Sequence, residues 1–129
     1  MSRITLTMVV SILAAAMVAC GGAPSGVGDP EIGEEIYRTN LEDEPGRHAC
    51  SECHTLGQSG PFGPSFQGIS EIAGERVAGM TAEEYLRESI ANPSAFIVEG
   101  YHDNLMPKVY GEILSEEEIN HLIAFMLSQ

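Results

Sequence analysis

Cys50-Ser51-Glu52-Cys53-His54 is the segment on which the reading of this chain turns. It sets two thiols three residues apart, near enough to share one helical turn, with an imidazole on the very next residue. Three ordinary uses of a Cys-x-x-Cys pair have to be weighed: a redox dithiol, half of a zinc site, or a structural disulfide. A redox dithiol expects the strand and helix of a βαβ unit around it, and no strand signal stands out along the 129 residues. A zinc site needs a second ligand pair. The third cysteine, Cys20, sits far upstream beside an apolar N-terminal run, and His48 and His102 are poorly spaced to serve.

The remaining chemistry explains all three residues together. Thiols at this spacing reach the two vinyl groups on adjacent pyrroles of one porphyrin, and the following histidine is then placed under the iron as a ligand. One covalently bound haem c is therefore the expected cofactor, attached at Cys50 and Cys53, with His54 as proximal iron ligand. Composition agrees. The chain has no Trp and only 6% aromatic residues, so a core made of side chains alone would be thin, and a large flat cofactor would fill it. The balance of 19 acidic against 6 basic residues, net −13, argues against a nucleic-acid partner, since phosphate binding wants Lys and Arg.

The first nineteen residues read as an export signal. Arg3 supplies the positive start, and Met8 to Ala19 (MVVSILAAAMVA) supplies an apolar run of signal-peptide length. That run is short for a membrane-spanning helix, which needs about 20 apolar residues. Val18-Ala19-Cys20-Gly21-Gly22 resembles the lipobox of bacterial lipoproteins, in which cleavage leaves a cysteine that takes a diacylglycerol. Lipidation explains the odd cysteine. The competing readings are ordinary cleavage with a free Cys20 thiol, and an uncleaved helix held in the bilayer. Residues 20–29, rich in Gly, Pro and Ser, read as a flexible tether. The expected location is the outer, periplasmic or extracellular, face of a bacterial cytoplasmic membrane.

Residues 30–129 read as one all-α domain of three to five helices with long loops. Asp29-Pro30-Glu31 opens the first helix with a capping residue, a proline at the first position and a carboxylate at the positive end; Ile32, Ile36 and Tyr37 are expected on its buried face. The acidic stretch 41–47 and residues 57–70 read as loops, with a helical stretch expected around 71–78. Thr81 with Glu84 forms a capping box for a helix over 82–91 carrying Tyr85, Leu86, Ser89 and Ile90 on one face. An irregular segment follows to Gly111. Ser115 with Glu118 then caps a last helix, 116–128, with Ile119, Leu122, Ile123 and Met126 on one stripe. Loops this long need something to organise them.

A second axial ligand is sought among Met80, Met106 and Met126. Met126 belongs to the last helix's apolar stripe and Met80 sits beside a helix cap, so both read as packing. Met106 lies in the irregular segment, followed by Pro107, which stiffens its loop. His102 is the rival; His48 and His121 read as surface or packing histidines. Of the acidic runs, Glu116 to Glu118 serves a helix start, while Glu42-Asp43-Glu44 could dock a basic redox partner.

At this point the chain resembles the small mono-haem cytochromes c with His/Met ligation, over about 30–129. Gly33 with Tyr37 matches the Gly-x-x-x-aromatic of that family's first helix, and Phe125 the aromatic of its last; in the family these helices cross at the small residue. Gly63-Pro64-Ser65-Phe66 matches its Gly-Pro-x-Leu, and Met106-Pro107 its Met-Pro. The stretch between Tyr37 and Cys50 is longer than usual, and Phe66 replaces the common Leu. The resemblance implies that the Pro64 carbonyl orients His54, that Met106 is the distal ligand, and that the protein is an electron carrier and not an enzyme. It implies redox protein partners in a respiratory or photosynthetic chain and no small-molecule substrate. The segment NPSAF…MP…LSEEEINHLIAFM is similar to cytochrome c domains of bacterial respiratory complexes, including those fused to some haem–copper oxidase second subunits and the mono-haem lipoprotein subunit of alternative complex III. Two other functions stay open: a fixed relay subunit of a large oxidoreductase, and a ligand sensor or small haem enzyme with an open iron site.

Overall fold

The structure, a computed structural model, describes residues 28–39 and 48–129. The export signal, Cys20, nearly all of the tether and the acidic run at 42–44 lie outside the described residues. Five α-helices follow in order: α1 (Pro30–Arg38), α2 (Ile69–Ile72), α3 (Ala82–Ala91), α4 (Tyr110–Ile113) and α5 (Glu116–Leu127). Single 3₁₀ turns occupy Cys50–Glu52 and Ala73–Glu75. Among the described residues there is no strand.

The helix starts follow from local chemistry. Asp29 Oδ1 accepts the Glu31 N–H at 2.9 Å, satisfying one of the first-turn donors that a helix leaves unpaired. Thr81 and Glu84 close their capping box, with the Glu84 N–H donating to the Thr81 hydroxyl at 3.2 Å and the Thr81 N–H to the Glu84 carboxylate at 2.8 Å. These bonds, the backbone N–H first and then the hydroxyl, hold the Glu84 carboxyl below its ordinary pKa. Ser115 and Glu118 repeat the arrangement at the head of α5.

α1 and α5 cross at Gly33. A Cβ built on Gly33 would lie 2.0 Å from the His121 carbonyl oxygen and 2.7 Å from the Phe125 Cβ, so only glycine permits this approach. The Asp29 N–H donates to His121 Nδ1 at 2.8 Å, pinning the start of α1 to α5. Tyr37, one turn further along, buries its ring 5.0 Å from that of Phe125. α5 contributes Ile119, Leu122, Ile123, Phe125 and Met126 to the core, and α3 adds Tyr85, Leu86 and Ile90.

Three expectations change. The buried face of α1 is Gly33 and Tyr37 with Ile36 partly buried, while Ile32 is 43% exposed. The backbone contact at Gly33 sets the rotation of the helix, and the larger apolar side chain loses. The helix expected around 71–78 starts at Ile69 and gives way to a 3₁₀ turn at Ala73, and the chain then turns through Gly79 at φ +88°, a conformation that favours glycine. The segment read as irregular to Gly111 contains the single turn α4, which has no side-chain cap to announce it. A Cβ on Gly111 would meet the Ala91 carbonyl oxygen at 2.5 Å, so α4 sits directly on the end of α3.

Gly33→Ala tests the crossing. Alanine is the better helix former by about 1 kcal/mol, but overpacking typically costs about 1–3 kcal/mol, and a clash with rigid backbone belongs at the upper end. The holoprotein's denaturant midpoint, followed by helical circular dichroism, is expected to fall; an unchanged or raised midpoint contradicts the close approach.

Candidate functional site

The 3₁₀ turn at Cys50–Glu52 is built from Glu52 N–H to Ala49 O at 3.0 Å and Cys53 N–H to Cys50 O at 3.2 Å, and the His54 N–H also returns to Cys50 O at 2.8 Å. One tight turn thus carries both thiols and delivers His54 at its exit. Cys50, Cys53 and His54 line the same cavity, across which stand Met106, Pro107 and Tyr110. Both cysteines are partly buried. Burial, and then the neighbouring Glu52 carboxylate, push the Cys53 thiol above its ordinary pKa.

His54 is fixed on several sides. Its Nδ1 lies 2.9 Å from the Pro64 carbonyl oxygen; a carbonyl can only accept, so Nδ1 carries the proton and the Nε2 lone pair is left for another partner. Burial pulls the imidazole pKa below its usual value, with the Pro64 bond opposing, so the ring is neutral at neutral pH. Phe66 stacks on it with centroids 4.6 Å apart. The Tyr37 hydroxyl donates to the His54 carbonyl. A Cβ on Gly63 would lie 2.8 Å from His54 Cε1 and 2.9 Å from Nδ1, so the ring rests in a cradle that a side chain at 63 would fill. The loop presenting Pro64 is stitched by Phe66 N–H to Thr55 O at 2.8 Å, Thr55 Oγ1 to Gln58 O at 2.6 Å and Ser65 N–H to Ser59 Oγ at 3.0 Å.

Three adjoining cavities surround this histidine. One is lined by both cysteines; one by Phe66, Ser89, Ile90, Leu114, Leu122 and Met126; the third runs past Ile69, Leu86 and Phe96 to Tyr101. His54 and Met106 are the two residues common to all three. His102 is exposed and lines only the third. His48 is exposed beside Glu52, and the His121 side chain is 16% exposed and bonded to the Asp29 N–H. Met126 is buried in the core at 5% exposure, and Met80 packs against it partly buried. Among the described residues, no three His, Cys, Asp or Glu side chains gather as a metal-ligand cluster, so the zinc reading of Cys50 and Cys53 finds no second ligand pair there.

Sequence reasoning missed three supports of the site. The Tyr37 hydroxyl bond to the His54 backbone, the stacking of Phe66 on His54, and the tyrosines 101 and 110 near Met106 are all tertiary. Only the Phe at 66, where the resemblance had led one to expect Leu, carried any hint.

The donor set fits an iron porphyrin: two thiols for thioether bonds, a neutral imidazole with one nitrogen tied back, a thioether across from it, and apolar walls between. A helical domain with these parts is a covalent haem-binding redox protein. The family described as Cytochrome c matches residues 30–129, and the chain belongs to it. Its cofactor is covalently attached haem c, and its function is haem-based electron transfer. No individual curated protein matches the chain.

Gly63→Ala is expected to push the His54 ring off the Pro64 carbonyl. Overpacking of about 1–3 kcal/mol should lower the unfolding midpoint of the holoprotein and shift its reduction potential together. A variant with both quantities at wild-type values would show that the cradle is not needed.

Proposed function

We propose that the protein is a lipid-anchored, mono-haem electron carrier or donor subunit, with His54 and Met106 as axial iron ligands. It works on the outer face of a bacterial cytoplasmic membrane, exchanging single electrons with redox proteins or neighbouring subunits of a membrane oxidoreductase complex in a respiratory or photosynthetic chain. The observation that carries the ligand assignment is that, among the described residues, His54 and Met106 alone border all three of the adjoining cavities.

When bound, the haem supplies an iron that gains and loses one electron. The rest is the work of the chain. Cys50 and Cys53 hold the group by covalent bonds, so that it does not dissociate on reduction. Pro64 keeps the His54 proton on Nδ1, fixes the ring's orientation and raises its basicity as a ligand. Met106 offers a neutral, soft thioether, which favours the reduced state, and the apolar lining from Phe66, Ile69, Leu86 and Leu122 favours it again by excluding water. With protein ligands on both sides, no position is left for a substrate.

The anchoring part rests on the Val18-Ala19-Cys20 pattern and the Gly-rich run after it. Among the described residues no helix is long and apolar enough to cross a membrane, and acyl chains on Cys20 would supply the attachment, each buried methylene contributing about 0.8 kcal/mol. The similarity of the 92–126 region to cytochrome c domains of respiratory complexes makes alternative complex III or a haem–copper oxidase the partner to look for first.

Met106→Ala is expected to abolish the absorption band of methionine–iron coordination in the oxidised protein and to let the reduced protein take up carbon monoxide; an intact band would remove Met106 as ligand. Cys20→Ala is expected to move the protein from the membrane to the soluble fraction, and retention in the membrane would point to an uncleaved helix. Isolation of the native complex from membranes separates a free carrier, which elutes alone, from a fixed subunit.

A further inference from the structure

Met106 lies between the end of α3 and the start of α4, in a stretch with no helix or strand of its own. Something other than a backbone ladder has to hold it. Two tyrosines flank it. On the N-terminal side, the Tyr101 hydroxyl donates to the Gly60 carbonyl at 3.0 Å. On the C-terminal side, the Tyr110 hydroxyl donates to the His48 carbonyl at 2.8 Å. His48 and Gly60 bracket the segment that carries Cys50, Cys53 and His54, so each hydroxyl reaches from one wall of the crevice to the other.

These bonds differ from the other restraints in the loop. Lys108 Nζ meets the Asp103 carboxylate at 3.0 Å, but both side chains are more than half exposed, and exposed pairs hold little. The Leu105 N–H to His102 O bond, 3.1 Å, closes a turn within the loop and does not cross the crevice. Tyr110 is 6% exposed and Tyr101 is partly buried, and both hydroxyl bonds are themselves part-buried, so water competes with them less than with the exposed ion pair.

We propose that Tyr101 and Tyr110 are positioning residues for the sixth iron ligand: their hydroxyls clamp the Met106 loop to the segment bearing the cysteines and His54, and thereby set how often the methionine leaves the iron. The inference rests on the reading of Met106 as that ligand. A clamp of this kind acts on the population of loop-open protein, and each hydroxyl lost should raise that population about fivefold, the two together about 25-fold if independent.

The test uses the holoproteins Tyr101→Phe, Tyr110→Phe and the double variant, which keep both rings and remove only the hydroxyls. Carbon monoxide uptake by the reduced protein reads the open population, the methionine–iron band against temperature reads the closed one, and helical circular dichroism reads global stability. Ser70→Ala serves as a comparison, because it removes a bond, Ser70 Oγ to Gln129 O at 2.6 Å, that ties α2 to the C-terminus away from the crevice. The expected result is uptake raised about fivefold in each single variant and about 25-fold in the double, with the band lost at lower temperature. Ser70→Ala should lower the unfolding midpoint without changing uptake. Wild-type uptake in the double variant overturns the clamp, as does an equal rise in Ser70→Ala, which would mean general loosening. Met106→Ala in the same assay keeps the two ideas apart: if it retains the band and takes up no carbon monoxide, the ligand assignment has failed; if it opens the iron while the tyrosine variants stay closed, only the clamp has.

Discussion

An imidazole has two nitrogens, and a histidine that must present one to a metal has to dispose of the other. In this protein His54 Nδ1–H donates to the Pro64 carbonyl oxygen, 2.9 Å away, and the surrounding contacts keep this pairing in place. The carbonyl stays in place because Thr55, Ser59 and Ser65 stitch its loop. The ring stays in place because Gly63 offers no Cβ behind it and Phe66 lies flat against it. Tyr37 holds the histidine's backbone, and its own ring is fixed 5.0 Å from Phe125 by the crossing of α1 over α5. A line of aromatic contacts, Phe125 to Tyr37 to Phe66 to His54, therefore runs from the helix crossing to the ligand. Gly33 is remote from His54 in sequence, yet it fixes where that line begins.

The same arrangement explains why so small a helical domain carries such long connections. Its walls, from Phe66 and Ile69 through Leu86 to Leu122 and Met126, are apolar on the side facing the crevice. The chain belongs to a family whose haem is covalently attached, and a haem held at Cys50 and Cys53 would lie against that face and give the loops a rigid plate to close on. Side chains here do part of the work of a core, and the attached group does the remainder. Among the described residues no charged side chain is buried: Glu116 pairs with Arg87 at 2.9 Å while 84% exposed, and Glu118 serves the capping box.

What was legible in the sequence was what is local. Asp29, the Thr81/Glu84 box and the Ser115/Glu118 box place helix starts by contacts within one turn, and those starts appear where the sequence put them. The 3.6-residue spacing read over 116–128 matches the buried stripe of α5, which ends at Leu127, with Phe125 added to it. The attachment segment was readable because three residues must act on one porphyrin, and the family match over residues 30–129 includes that stretch. What escaped is tertiary. Ile32 looks like a core residue until the approach of α5 at Gly33 rotates it outward. α4 has no cap, and it forms because Gly111 lets it rest on Ala91. The hydroxyls of Tyr37, Tyr101 and Tyr110 bond to carbonyls far away in the chain, and no periodicity announces such a bond.

The two sides of the crevice are held by different means, and the difference matters for electron transfer. The His54 side is continuous, with a helical turn, a stitched loop, a stacked ring and a backbone bond acting within one short stretch. The Met106 side is an irregular loop anchored at its flanks. Thermal excursions concentrate where few buried contacts restrain the backbone, so the Met106 loop opens under heat or denaturant before the segment that holds His54. For an electron carrier this is the tolerable failure: covalent attachment of the cofactor does not depend on that loop, and the loop can close again. The cost of a loose thioether is rearrangement on each change of redox state, which slows transfer. Restraint from the flanks, through the Tyr101 and Tyr110 hydroxyls, would reduce that rearrangement without demanding regular structure from the segment between them.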